Sequence, residues 1–497
     1  MLYKVRFAEY SLSNCCKLII MEGLKSYFSG LTPALFNHVS GKPREFIDIY
    51  RAHNFLNEAA FKEHICAGKH DDSYYRKRKS NAIKIMQVLF LISNAKGGSL
   101  VKKKYDECQK FFAVGYKFIT EGARIEGIRL LREAYKIAVE YDFSYLACEL
   151  SSNLYRHHAH YTKDIRNARH YARQVDKYLD NYTAEKKGEY YLNQIVVEQS
   201  RSMVDTVFLQ EAIQNLNQQK GESVRFKFLQ ASIKVLYGVY IGDYEQVITD
   251  CNNALQFFEN KPGVYPAYYL FFLQTRGTAQ TAIGQCQEAT ESYQMAEQYT
   301  GTNAYNIYTL QYYKTLNALH AGQYQMAYDL YQKNKRCKIE DIREQFAIIE
   351  AYLCFLSHTG YLQINKIFRM RKYLNDTFKA QEDKQGSNIN ILIAELLVYL
   401  ARDKGKFSDR VEAVRHYSYR HLKEKDTQRA KWFIKILCML PHPKVNFHPV
   451  ALRRKAGRYI DLLESHPVRM GEGFAVEIIP FDTLLRMIED RLMRKVA

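Results

Sequence analysis

Proline is scarce in this chain, with nine residues in 497. Proline removes a helix hydrogen bond and clashes with the preceding turn, so its scarcity leaves room for long uninterrupted helices. Long apolar runs are missing as well. The best candidate, residues 83–92, is interrupted by Lys84 and Gln87 and falls short of the roughly 18–20 residues a membrane span needs. The first residues contain neither an apolar core of signal-peptide length nor a small-residue cleavage site, which predicts no export leader. No C-x-x-C occurs among the ten cysteines, and only Cys15 and Cys16 are close in sequence. The others fall in helical patterns, where a free thiol behaves as a small buried hydrophobe. A reducing, cytoplasmic setting is the expectation, not a disulfide framework.

Enzyme signatures are also absent. There is no G-x-x-x-x-G-K-[ST], because the glycines at 122 and 127 are followed by Ile128 and Arg129. No G-x-S-x-G, H-E-x-x-H or strand-linked dinucleotide glycine pattern stands anywhere. A non-enzyme without cofactor or metal is therefore expected, and an enzyme with an unfamiliar site is the remaining alternative.

What is present is ordinary in bulk: 47% hydrophobic and 25% charged residues, rich in tyrosine (40) and with one tryptophan, Trp432. Tyrosine suits helix seams, because its ring packs while its hydroxyl reaches a partner or water. The formal charge is +19. Residues 69–136 carry +9, residues 361–435 carry +8, and residues 243–300 carry −5, so basic flanks bracket an acidic middle. A dedicated nucleic-acid binder keeps a more continuous basic stripe.

From residue 46 onward the 3.6-residue apolar period dominates. It predicts helices that include 124–141, 144–161, 164–181, 184–218, 224–241, 244–260, 265–283, 286–300, 303–320 and 323–336, and a last one from Thr483 to Arg494 capped by Asp482. Gly122, Gly242, Gly284, Gly301, Gly322 and Gly360 mark short breaks as helix ends or turns. Ala475–Ile479 is the one stretch expected to be extended. Short loops between helices of similar length imply antiparallel pairs. The expected organisation is an irregular cap at 1–45, helical repeats at 46–220, the best-defined repeats at 221–360, further repeats at 361–470, and a tail helix within 471–497.

The repetition itself is specific. Gly242-Asp243-Tyr244, Gly284-Gln285-Cys286 and Gly322-Gln323-Tyr324 each close one helix and open the next. Ala289 and Ala327 follow their glycines by five residues, Tyr293 and Tyr331 by nine, and Ala254 and Ala296 by twelve. Ala134 stands twelve after Gly122, and Gly115 and Gly277 stand seven before Gly122 and Gly284. This pattern resembles the tetratricopeptide repeat (TPR) superfamily. The middle block and Glu477-Ile-Ile-Pro-Phe-Asp-Thr-Leu resemble a class of uncharacterised bacterial TPR-like proteins. Departures are plain: turn glycines lie 42 and 38 residues apart, Val247 replaces the first alanine after Gly242, and Asn334 the second after Gly322.

The resemblance implies an all-α fold, a right-handed α-solenoid of antiparallel helix pairs with divergent repeats of 38–42 residues. It implies a scaffold or adaptor that holds a protein or peptide on a concave face. The inward positions it implies are Leu229, Ile233 and Leu236 in one repeat, Phe271, Gln274, Thr275 and Thr278 in the next, and Thr309, Tyr312, Tyr313 and Leu316 in the third. Gln274, Thr275, Thr278, Tyr312 and Tyr313 are the candidate binding residues among them, and a plain core role is the competing reading for the apolar members. The basic cluster Arg76, Lys77, Arg78 and Lys79, beside Tyr74 and Tyr75, is a candidate phosphate-contacting patch or a solvated helix turn. It supports the alternative of a peptide-sensing regulator with a flank contacting nucleic acid. His157-His158-Ala159-His160 lacks a second ligand set at metal spacing and reads as a polar helix face. Arg453-Arg454-Lys455 reads the same way. No membrane partner is expected, and the oligomeric state is open.

Overall fold

A computed structural model describes residues 58–66, 72–78, 98–200, 205–364, 387–421, 428–466 and 477–494, with single positions 80, 370, 373, 374 and 468. Among the described residues every regular element is helical and no strand occurs. The expected cap at 1–45, Cys15, Cys16 and Lys79 lie outside them. No described helix is long and apolar enough to cross a membrane. The chain divides into two compact units, the described residues through Leu179 and those from Asp180 on.

The first unit holds α1 (Glu58–Cys66), a helical turn at 72–78, α2 (Leu100–Thr120), α3 (Arg124–Glu140), α4 (Ser144–His157) and a π-helical turn (His158–Thr162). It ends within α5 (Ile165–Ser200). Ser99 opens α2 by accepting the Lys102 N–H. Gly122 ends the turn after it in the left-handed region, φ +93°. The helices on either side run antiparallel: Cys108 Sγ donates to the Ala134 carbonyl at 3.2 Å, and Gly115 faces Gly127. A Cβ on Gly127 would meet the Gly115 carbonyl oxygen at 2.7 Å, so the close backbone approach needs glycine there. At the next turn Asp142 takes the left-handed conformation, φ +58°, and Phe143 N–H closes onto Ala138 O at 2.8 Å. Aspartate is among the few residues that tolerate it.

The second unit contains α6 (Thr206–Asn217), α7 (Val224–Ile241), α8 (Tyr244–Phe258), α9 (Pro266–Ala282), α10 (Cys286–Glu297), α11 (Ala304–His320) and α12 (Tyr324–Asn334). It continues through α13 (Glu340–Thr359), α14 (Ser387–Arg402), α15 (Lys404–His421), α16 (Gln428–Met439), α17 (Pro449–Ser465) and α18 (Phe481–Arg494). From α6 on, each helix packs against the next in the chain. In addition α7 touches α9, α9 touches α11, and α11 touches α13. From α7 to α13 the first helix of one pair thus meets the first helix of the following pair.

The turns recur with one geometry. After α7, α9, α11 and α13 a glycine stands at positive φ (Gly242, Gly284, Gly322 and Gly360). The N–H of the following residue reaches back to Gly238 O, Gln280 O, Ala318 O and Leu356 O, at 2.8–2.9 Å. These bonds satisfy carbonyls that a helix end otherwise leaves open. Position +5 after the glycine is fully buried in three pairs (Val247, Ala289, Ala327), and position +9 holds buried Cys251, Tyr293 and Tyr331. Where a pair carries Gly277, the Tyr293 ring fills the space: a Cβ there would lie 2.6 Å from Tyr293 Cε1.

Four expectations differ. Of the stretch expected to be extended, residues 477–479 form no strand and bend at 478–479, and 475–476 lie outside the described residues. Residues 164–181 and the start of 184–218 form one helix, α5, because Tyr182, Thr183 and Ala184 contain no residue that terminates a helix. The helix expected to run to Tyr161 changes to a π-turn at His158 and stops at Lys163, which is left-handed at φ +54°. The last helix begins at Phe481 rather than Thr483. Its first N–H is accepted by Glu477 Oε2 at 2.9 Å, so Glu477 caps it while Asp482 lies inside the first turn.

Candidate binding surface

The residues implied as inward-facing lie on α9 and α11. Gln274 and Tyr312 are buried, while Thr275, Thr278 and Tyr313 are half-buried. The two threonine hydroxyls return to their own helix, Thr275 to Phe271 O at 2.8 Å and Thr278 to Gln274 O at 2.9 Å. Tyr293 of α10 joins the two groups of candidates. Its hydroxyl lies 3.4 Å from Thr278 Oγ1, and its ring stacks on Tyr313 with centroids 6.4 Å apart. Burial pushes the Tyr293 hydroxyl up to about 12, which keeps it protonated. Tyr312 meets Phe346 of α13 edge-on at 6.2 Å, at the contact between successive first helices. These side chains therefore build the seam between pairs and leave Thr275, Thr278 and Tyr313 partly open.

A second set of residues went unread in the sequence. Eight positions before Gly242, Gly284 and Gly322 stand Lys234, Arg276 and Lys314. Lys234 Nζ pairs with buried Asp250 of α8 at 2.7 Å. Arg276 donates to Ser292 Oγ of α10 at 3.0 Å and to Asn252 Oδ1 of α8 at 2.8 Å, so it bridges two successive second helices. Lys314 Nζ reaches Glu297 of α10 at 2.6 Å. The constant offset was a readable signal.

Buried Asn317 of α11 donates to Cys286 O and Thr290 Oγ1 of α10, both at 2.9 Å. It accepts from Thr281 Oγ1 of α9 at 3.0 Å. One side chain thus ties three helices.

Toward the C-terminus, Arg429 of α16 is almost fully buried. Its guanidinium grips both carboxylate oxygens of Glu477 (Nη2–Oε2 3.1 Å) and the carbonyls of Leu463 and His466. Burial pushes the Glu477 carboxyl upward, and the guanidinium and the Phe481 N–H draw it back. His320 at the end of α11 lies 2.6 Å from Glu477 O through Nε2. Burial lowers its imidazole to about 4, so it is neutral and Nε2 carries the donated proton. Phe481 stacks on Phe433 at 4.6 Å. Arg453 pairs through two nitrogens with Glu489 of α18, at 2.6 and 2.7 Å, and so anchors a helix instead of presenting a free cation. Arg454 and Lys455 are exposed.

Of the basic cluster, Arg76 and Lys77 are exposed and Arg78 is half-buried. Arg76 pairs with Asp72, which Lys62 also contacts, and Arg78 lies over the Tyr74 ring at 5.5 Å. Tyr75 is buried. His157, His158 and His160 lie at and within the π-turn; His158 is buried and His160 exposed. Among the described residues no group of three His, Cys, Asp or Glu is disposed to hold a metal ion. Desolvation pushes the thiols of buried Cys108 and half-buried Cys438 up to about 12, where they carry little nucleophilic thiolate.

No protein-family model matches the chain, and no curated protein matches it.

Proposed function

We propose that this chain is a non-catalytic scaffold that holds a protein or peptide on a TPR-like surface. In this reading the helix pairs of the second unit continue as a right-handed α-solenoid, and the partner lies along the first helices of the pairs, α7, α9 and α11. One observation carries it. Three consecutive pairs repeat the same turn glycine, the same buried seam positions and the same contact between successive first helices. Pairs stacked in that way expose an extended face on which a linear ligand meets equivalent positions repeatedly. Half-buried Thr275, Thr278 and Tyr313 are the open members of that face. A cytoplasmic location and membership of the TPR superfamily belong to the same proposal.

The test is selection of a random-peptide display library on the full chain. Enriched peptides should lose about ten-fold or more in affinity when Thr275→Arg or Thr278→Arg places a long cation on the face. Absence of enrichment, or peptides indifferent to both substitutions, would remove the reading.

A further inference from the structure

The π-turn of the first unit gathers an unusual set of side chains against α3. Arg124 lies over the Tyr161 ring, its guanidinium carbon 3.5 Å from the centroid. Tyr161 in turn is stacked with His157, the centroids 6.3 Å apart and the planes 18° from parallel. Arg132, two turns further along α3, brings Nη2 to 3.4 Å from His158 Nε2. His158 is buried, stacked on Tyr171 at 5.6 Å, and its Nδ1 lies 3.1 Å from Thr162 Oγ1, which returns to His158 O. An arginine only donates, so Nε2 accepts and Nδ1 carries the proton. The bonds run from His158 Nδ1–H to Thr162 and from Arg132 to His158 Nε2. A buried imidazole thereby orients an exposed guanidinium.

The charges around this cluster are unbalanced. On α3, Arg129 pairs with Glu126 at 3.0 Å and Lys136 with Glu133 at 2.9 Å. Arg124 and Arg132 have no carboxylate partner among the described residues. Asp164 is 4.0 Å from His158 Nδ1, and it is already occupied by the N–H of Asn167 at 3.0 Å and its side-chain amide at 2.7 Å. His157 Nδ1 is buried without a hydrogen-bond partner. Burial first, then His158 and the two guanidinium groups, hold the His157 imidazole below its usual value. The π-turn brings consecutive histidines into this cluster, and such turns recur at functional sites.

We propose that Arg124 and Arg132, with Tyr161 stacked on His157 as an aromatic wall, form a binding site for a phosphoryl-bearing dianion. The planar forks of two arginines match the oxygens of a phosphoryl group. The site lies on the first unit and stands independently of the peptide-binding face on the second.

The probe is inorganic phosphate, titrated into the full chain at constant ionic strength. Binding is followed through the ring proton resonances of His157 and His158, assigned with His157→Gln and His158→Gln variants. The expected result is a saturable shift, with both imidazoles titrating at higher pH when phosphate is bound. Arg124→Gln and Arg132→Gln should each weaken binding about ten-fold, the loss of a charge-assisted hydrogen-bond pair. Arg129→Gln, whose partner is Glu126, should leave it unchanged. Thermal melts of each variant separate loss of binding from loss of fold. Absence of saturation, or equal weakening by Arg129→Gln in a folded chain, would overturn the site. A phosphoserine peptide distinguishes the sources of the group. Tighter binding than free phosphate, with the same arginine dependence, assigns it to a phosphorylated protein. Equal or weaker binding assigns it to a small phosphorylated metabolite.

Discussion

Thr281 of α9 and Asn317 of α11 are hydrogen-bonded at 3.0 Å, across the contact between two successive first helices. Both side chains are buried. Inside a low-dielectric seam such a bond is costly to leave half-made, because the remaining donor or acceptor has no water to turn to. Asn317 also holds the intervening α10 through Cys286 O and Thr290 Oγ1. Register between neighbouring pairs is thereby specified by a polar side chain as well as by shape.

Arg429→Ala should loosen the C-terminal helix. The substitution leaves Glu477 buried without its cation, and breaking a buried pair in that way costs about 3–5 kcal/mol. Limited proteolysis should cut between α17 and α18 well before the parent is cut there. Equal resistance would mean that Phe481 and the Arg453–Glu489 pair suffice to hold α18.

Gly277→Ala and Gly284→Ala separate two roles of glycine. At Gly277 the new Cβ meets the Tyr293 ring at 2.6 Å, and the overpacking should cost about 1–3 kcal/mol. At Gly284 nothing lies within 4 Å, and the cost is the left-handed backbone at φ +81°, about 1–2 kcal/mol. Adding Tyr293→Phe should leave the first cost in place, since the clash is with ring carbons. Removing the ring with Tyr293→Leu should relieve it. Chemical denaturation of the four variants checks this.

Ala296→Trp should lower the melting temperature strongly. Ala296 is fully buried in a cluster with Leu270, Leu273, Ala289, Tyr293 and Leu310, and an indole has no room there. Overpacking by smaller groups already costs about 1–3 kcal/mol. Unchanged melting would show that this alanine does not lie between helices.

Stability should fall with acidification through His320. Its folded value is lowered from 6.5 to about 4 by burial, so the unfolded chain binds the extra proton first. The contribution is fully present above pH 6.5 and is lost as pH falls toward 4, on the order of 3 kcal/mol. His320→Gln, which keeps a donor for Glu477 O, should flatten the denaturation midpoint over that range. An identical pH profile in parent and variant would contradict this.

Much of the pair rhythm was legible because it depends on local rules. A glycine between two apolar periods foretells a left-handed helix end, and Gly122, Gly242, Gly284, Gly301, Gly322 and Gly360 all take positive φ. Alanines at fixed offsets foretell close seams, and Ala134, Ala289, Ala296 and Ala327 are fully buried. The misses are of two kinds. Asp142 does at one turn what glycine does elsewhere, and the π-turn at His158 changes a helix without any breaker residue, so neither leaves a compositional trace. Arg429 and Glu477 lie 48 positions apart, and only the folded chain brings them together. Gln274 and Tyr312 are buried, and the contact of Tyr312 with Phe346 is one that no periodicity identifies. Lys234, Arg276 and Lys314 recur at one offset and were there to be read.

The stacking of successive first helices is tested most directly by a double-mutant cycle between Thr281 and Asn317. Urea unfolding of Thr281→Val, Asn317→Ala and the pair gives their coupling free energy. If α9 and α11 touch through this bond, the coupling should be on the order of 1 kcal/mol or more. Strict additivity, within about 0.3 kcal/mol, would mean that the two side chains do not meet and that the pairs do not stack in this way.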